Sequence, residues 1–279
     1  MTEQLRSEDE AKIIDHARTY PYGVPDRSFV LLRGVAYPFA GLASSDWGSS
    51  TIETDAGRRP LREVVVESSG PTIDVDERRV AVVASGSNAS PAQLRRKFPD
   101  FEGKCIPVVA ATLEDHDIVF SAHVSRFGSV PVTLMASPGT SVHVFLTFLT
   151  ADEEDGMFKT EGGNYDYVRL DTAEATFVDT HADLDGLRAY VSRYGALNLG
   201  GAPVGLAGTT VRDSRFERIT ESDAIDRVAP MFGMSGDELI LRCVADQSLR
   251  RSCIARLSAE SIPLGVSATT LKAPETSGA

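Results

Sequence analysis

Apolar positions are sparse and helically spaced at the start of the chain, at Ile13, Ile14 and Ala17 within AKIIDHARTYPYGVP. They predict a short helix stopped by Pro21 and Pro25. Residues 28–35 (SFVLLRGV) read as a strand. Residues 38–59, rich in Gly, Ser, Asp and Thr, read as a long connection anchored by the single Trp47. A second strand is expected at 62–67. The turn-rich SSGPTIDVD up to Asp76 suits a linker or a long loop, so a boundary is placed near residue 76.

From Arg79 the pattern sharpens. VAVVAS (80–85) is a continuous β-branched run of the kind buried on both faces of a sheet. It passes through Gly86-Ser87-Asn88 into a helix with Ser90 as N-cap and Pro91 at its first position, ending before Pro99. Four strand-like stretches follow, at 106–112, 117–124, 130–135 and 141–149, separated by turn-like Glu114-Asp115 and Ser137-Pro138-Gly139 and so expected to be hairpin-connected. Then come an acidic helix at 151–159, the loop TEGG, strands in NYDYVRL and ATFVD, and a short helix at 184–194. The last third is helical, with one helix at 222–228 and another opened by a capping box at Ser235 and Glu238 and running toward Leu257. Cys243 and Cys253 fall in that helix, about 15 Å apart at the helical rise, so they are expected neither to pair nor to share a metal. The stretch after Lys272 is expected to fray. The chain is expected to divide into an N-terminal extension packed on a core (1–75), the core (76–208), a C-terminal helical segment (209–271) and a disordered tail (272–279).

The 279 residues suffice for one large domain or two small ones, at roughly 150 residues each. A composition of 42% hydrophobic and 24% charged residues counts against disorder, coiled coil and collagen-like repeats, and no apolar run has the length of a membrane span. With 28 Lys+Arg against 40 Asp+Glu the formal charge is −12, so the average surface repels nucleic acid and anionic membrane. The three cysteines, Cys105, Cys243 and Cys253, lack metal-ligand spacing, and the opening MTEQLRSEDEAK lacks an apolar signal core. A reduced, cytoplasmic protein is expected, without metal, nucleic-acid or membrane partners. The oligomeric state is not set by the sequence.

A strand that ends in Gly-Ser-Asn before a capped helix can hold an anion or a polarised oxygen on free backbone N–H groups, and it can equally be an ordinary tight turn. The order of features around it is more specific. Ser85-Gly86-Ser87-Asn88, the Phe-ending strand Ile118–Phe120, Val132-Thr133-Leu134, and Glu161 followed by Tyr165 together resemble the gamma-glutamylcyclotransferase-like superfamily over residues 79–171. The family has a tyrosine ahead of Gly-Ser-Asn where this chain has Ser85, and usually an alanine where it has Val132. The Glu-to-Tyr spacing of four is nearest to the glutathione-specific branch, which does not assign a substrate.

The resemblance implies an α+β fold, a small mixed β-barrel elaborated by an N-terminal extension and C-terminal helices. It also implies a cofactor-independent reaction of lyase or acyltransferase type on a small-molecule or peptide gamma-glutamyl substrate. The substrate's own α-amine attacks its γ-carbonyl, closing 5-oxoproline and expelling an amine, so no enzyme nucleophile is needed. Glu161 would be the general acid/base, and the Ser87 and Asn88 backbone N–H groups would be donors for the oxyanion and the α-carboxylate. Ser85, Gly86 and Tyr165 would complete the substrate site. Holding the substrate folded would itself supply much of the rate.

Each residue also has a plainer reading. TEGG can be a solvated continuation of the acidic DEEDG, and Tyr165, sharing a strand face with Tyr167, can be aromatic packing. His123 and His143, on expected strands, suit core or edge positions better than catalysis. Ser87 lacks the G-x-S-x-G context of a hydrolase nucleophile; Arg95 and Arg96 could bind a substrate carboxylate, but on a capped amphipathic helix at least one should face solvent. The alternatives to the cyclotransferase are a non-catalytic binding or assembly module on the same fold, and an amide hydrolase or acyltransferase using the same pocket.

Overall fold

A computed structural model describes residues 3–43, 46–171, 175–177 and 186–273 of the chain. The chain begins with helix α1 (Glu3–Arg18), then strands β1 (Phe29–Leu32), β2 (Val35–Gly41), β3 (Thr51–Thr54) and β4 (Gly57–Pro60), and helix α2 (Leu61–Glu67). The central part is β5 (Val80–Ala84), α3 (Pro91–Lys97), β6 (Cys105–Phe120), β7 (Val132–Leu149), α4 (Ala151–Glu161), β8 (Tyr165–Leu170), β9 (Ala175–Phe177) and β10 (Arg188–Ser192). Short strands β11 (Asn198–Leu199), β12 (Ala202–Leu206), β13 (Val211–Arg212) and β14 (Glu217–Ile219) lead to helices α5 (Glu221–Val228), α6 (Gly236–Ala245) and α7 (Gln247–Ala259), and β15 (Ala268–Lys272) ends the described chain.

The long antiparallel pair β6–β7 is the spine. Its register runs from Val108↔Thr147 to Glu114↔Ser141 and resumes from His116↔Ala136 to Phe120↔Val132. The four expected strands are therefore two, and the two turn-like stretches between them form an irregularity. Asp115 takes φ 58° there and its carboxylate accepts from the Gly139 N–H at 2.7 Å. The sheet follows the path β15-β8-β10-β5-β7-β6-β1-β2-β3-β4. It is mixed, since β5 runs antiparallel to β7 but parallel to β10. Among the described residues this path has two ends and does not close, so the architecture is α+β on a large open sheet and not a small barrel.

β5 is buried on both sides, as its apolar run predicts. Ala81 and Val83 join the part of the core that holds Ile225, Leu239, Ile240 and Leu257 of α5–α7, while Val82 and Ala84 join the part that holds Leu94 of α3 and Met157 of α4. Trp47 anchors as expected, its ring 4.8 Å from that of Phe148. No helix among the described residues is long and apolar enough to cross a membrane.

Several local expectations give way to the structure. Residues 38–59 hold most of β2, all of β3 and nearly all of β4; the Gly, Thr and Arg content of β3 and β4, at one end of the sheet, imitates a loop. LREVVVE is a helix and not a strand: Leu61 and Val65 share the buried face while Val66 points outward at 78% exposed, so spacing overrides β-branched propensity. Residues 188–192 are strand β10, not part of a helix. Leu184 and Asp185, and the tail beyond 273, lie outside the described residues. Ser90 precedes α3 but its hydroxyl donates to the Tyr22 carbonyl at 2.7 Å instead of capping. Ser235 caps α6 by accepting from Glu238 N–H at 3.2 Å; the reciprocal boxes are at Thr150/Glu153 and Thr220/Asp223. The C-terminal helix breaks at Asp246, whose carboxylate accepts from the Ser248 and Leu249 N–H groups at 2.8 and 3.0 Å and opens α7. The fold-back brings the buried Cys243 and Cys253 sulfurs to 4.0 Å, where an unbroken helix would hold them far apart.

Candidate functional site

The site is built where α3 and α4 end side by side. β5 delivers the chain into the short Ser87–Ala89 turn, and α3 then runs two turns to Lys97. α4 is fixed at its start by the Thr150/Glu153 box and by the buried Arg79–Glu153 ion pair at 2.9 Å, and it terminates on Glu161. The Lys97 ammonium donates to the Glu161 carboxylate, to the Asn88 side-chain oxygen at 2.5 Å, and contacts the Met157 sulfur at 3.6 Å. Burial, with repulsion from Arg96 and Arg126 added, pulls the Lys97 ammonium down to about 7. The Glu161 carboxylate and the Asn88 amide oxygen are the contacts that favour its charge.

Lys97 and Glu161 open onto a cavity of about 500 Å³. α3 contributes Arg96, α4 contributes Lys159 and Thr160, the β6–β7 connection contributes Arg126 and Phe127, and α7 contributes Arg250 and Arg251. Among the described residues Glu161 is the single carboxylate of this lining against six basic side chains, in a chain whose formal charge is −12. Arg96 and Arg126 lie 4.6 and 4.7 Å from the Phe127 ring centroid. Phe127 meets the His16 ring of α1 edge-on at 5.6 Å, and His16 stacks on Tyr22 at 4.4 Å.

The cavity wall beside the Gly-Ser-Asn turn is made by tyrosines. The buried Tyr20 hydroxyl accepts from Val132 N–H at 3.3 Å and is bonded to the Ser87 backbone, so a residue of the N-terminal segment engages one of the two turn residues whose amides were expected to be free. Burial is the main reason the Tyr20 hydroxyl is pushed above its ordinary range. Tyr165 donates to the Val132 carbonyl at 3.2 Å. His123 is fully buried and held neutral, its imidazole pushed down to about 3 by burial. Its Nδ1 meets Ser121 Oγ at 2.7 Å, and its Nε2 has no hydrogen-bond partner among the described residues.

Of the residues singled out in the sequence, Glu161, Ser87 and Tyr165 line this cavity, together with Arg96 and His123. Asn88 reaches it through its side chain on Lys97. Ser85 and Gly86 do not: they line a neighbouring cavity of about 510 Å³ with Pro21, His143 and Phe145. Arg95 turns away to the Gly34 carbonyl at 2.8 Å. Glu161 is not in a loop but is the last residue of α4. Tyr167 stacks on Tyr190 at 4.8 Å in the core. Lys97, Tyr20, Arg126, Arg250 and Arg251 escaped the sequence reading. For Lys97 a cue existed, a lysine closing the helix that follows Gly-Ser-Asn; the others meet only through the topology. Among the described residues no three His, Cys, Asp or Glu side chains converge as metal ligands.

No protein-family model matches the chain, and no curated protein does. Solved structures similar to it include a protein of Arabidopsis thaliana, 17% identical, covering 45% of this chain and 72% of its own at a TM-score of 0.32. A gamma-glutamyl cyclotransferase is 13% identical, covering 71% and 94% at 0.31, and an uncharacterised Homo sapiens protein is 13% identical, covering 71% and 95% at 0.33. At these TM-scores, the function of the chain has to be read from its own site.

Proposed function

We propose that the chain is a gamma-glutamyl cyclotransferase-like enzyme, cleaving a gamma-glutamyl amide or peptide to 5-oxoproline and an amine. The observation that carries this reading is the carboxylate of Glu161 in a cavity whose other charged side chains, among the described residues, are all basic. Such a cavity attracts a carboxylate-bearing substrate and leaves one group able to take a proton.

In this reading Glu161 accepts a proton from the substrate α-ammonium. The freed amine attacks the γ-carbonyl carbon, the new C–N bond closes the five-membered ring, and the carbonyl oxygen becomes an oxyanion. Glu161 returns the proton to the leaving nitrogen as the oxyanion collapses and the original C–N bond breaks; the ring nitrogen, which still carries two hydrogens, then gives its second proton to Glu161, which passes it to the released amine and ends ionised as it began. Tyr20 is the oxyanion donor: its oxygen already accepts from backbone N–H groups, so its own proton is left for the cavity. Asn88 acts through Lys97, whose proton sets how far Glu161 is engaged. Tyr165 bonds the carbonyl of Val132, the residue whose N–H holds Tyr20.

A non-catalytic binding module is the competing reading, and the Lys97–Glu161 ion pair favours it, because a carboxylate already paired is less available as a base. A screen of gamma-glutamyl compounds for released 5-oxoproline, glutathione first, separates the two. Turnover that depends on Glu161 supports the enzyme; ligand binding without 5-oxoproline from any compound supports the module.

A further inference from the structure

We infer that the amine half of the substrate carries at least two negative charges, as a phosphate or a pair of carboxylates, and that the arginine wall of the cavity receives it. The inference rests on the cyclotransferase reading for the reaction and deepens it for the substrate. A gamma-glutamyl group brings one carboxylate and one ammonium, and Glu161 answers the ammonium. The cationic charge left over exceeds what one carboxylate can satisfy. Arg96, Arg126, Arg250 and Arg251 line the cavity without a carboxylate partner among the described residues. The bonds that Arg96 and Arg250 do make go to neutral acceptors, the Gln93 side-chain oxygen at 2.8 Å and the Cys243 carbonyl.

Two of these guanidiniums are also held against one another. Arg96 and Arg126 share the Phe127 ring, and Arg126 adds to burial in lowering Arg96. A bound anion removes that repulsion, and guanidinium forks suit the several oxygens of a phosphate or paired carboxylates. The four arginines come from three separate elements, α3, the β6–β7 connection and α7, so a single-oxygen contact cannot engage them together. An independent pointer is His123, buried in the same lining with an unpartnered Nε2. A buried polar atom without a partner is costly unless a ligand or water supplies one.

The test compares synthetic amides whose leaving amine carries no charge (gamma-glutamyl butylamide), one (gamma-glutamylglycine), or two, as dicarboxylate (gamma-glutamylglutamate) and as phosphate (gamma-glutamyl phosphoethanolamine). Each added charge is expected to raise kcat/KM about tenfold, the scale of one charge-assisted hydrogen bond, with the advantage shrinking as salt rises. The two doubly charged arms show which anion fits. The Arg250→Ala, Arg251→Ala variant is expected to lose about tenfold more kcat/KM on the preferred dianion than on the butylamide. Equal kcat/KM for charged and uncharged amides overturns the inference and leaves the cyclotransferase standing. Calorimetric binding of a dianion with no 5-oxoproline from any amide overturns the cyclotransferase and upholds the arginine wall as an anion site. Neither binding nor turnover overturns both.

Discussion

The Lys97 ammonium, at the end of α3, is bonded to the Glu161 carboxylate, at the end of α4, with the lysine side chain 3% and the glutamate side chain 17% exposed. The acid is the more open partner and the lysine stands behind it. Two helix ends, one following the Gly-Ser-Asn turn and one following an acidic helix, thus place a proton between two groups at the cavity wall.

Glu161→Gln keeps the shape of the side chain and removes the base. Loss of general acid/base catalysis is expected to cost about 10²–10⁴ in 5-oxoproline release. The fold should survive, because Lys97 can shed its proton instead of remaining a buried unpaired charge. The drop in Tm should accordingly be smaller at alkaline pH than below neutrality. A variant that releases 5-oxoproline at the native rate removes Glu161 from the mechanism.

Lys97 should govern the pH dependence. Its folded value of about 7 lies below the ordinary 10.5, so between those values the unfolded chain binds more protons and this group makes stability rise with pH. Below about 7 both states are protonated and its slope vanishes. In activity, loss of the Lys97 proton releases Glu161 to the substrate, so kcat/KM should climb through pH 7. Lys97→Met should abolish both the stability slope and the limb of the rate profile; a profile that is unchanged in this variant shows that Lys97 does not control Glu161.

The part of this site legible in the sequence was the part encoded locally. The β-branched run of β5, the Gly-Ser-Asn turn and Pro91 set up α3, and the acidic stretch set up α4, so Glu161 and Ser87 could be singled out. The arginine wall could not, because Arg96, Arg126 and Arg250 are brought together only by the β6–β7 connection and by the fold-back of α7. Reading Asp246 as an N-cap would have revealed that fold-back and with it the approach of Cys243 to Cys253. The barrel expectation gave way for a related reason: β1–β4 extend the sheet past β6, and of these only β1 has the apolar run that announces a strand, while the short polar sequences of β3 and β4 do not.

Tyr20→Phe should separate catalysis from binding. Removing a hydroxyl that accepts from the Val132 and Ser87 backbone leaves buried donors unpaired, a cost of about 1–3 kcal/mol in stability. As an oxyanion donor its loss should lower kcat about 10²–10³-fold with little change in KM. Gly86→Ala tests the same contact from the other side, since a Cβ there would collide with the Tyr20 hydroxyl and lie 3.1 Å from a Val132 methyl. The two substitutions should be markedly non-additive in kcat. Full additivity would mean that Gly86 does not act through Tyr20.

Arg18 should control the site from a distance. At the end of α1 its guanidinium reaches the Asp226 carboxylate of α5 at 2.8 Å and the Asp237 carboxylate of α6 at 2.8 Å, and it also bonds Ser222 at 2.5 Å. Both aspartates are more than half exposed, so Arg18→Ala should cost only about 1 kcal/mol in overall stability. Its local effect should be larger, because Tyr20 and Tyr22 follow directly and His16 buttresses Phe127. Amide hydrogen exchange in α1 should accelerate and kcat should fall as in Tyr20→Phe. Arg18→Lys keeps the charge but not the fork that spans two carboxylates, so it should recover only part of both effects. Rapid exchange in α1 with an unchanged kcat would show that the position of Tyr20 does not matter to the chemistry, and would remove it as the oxyanion donor.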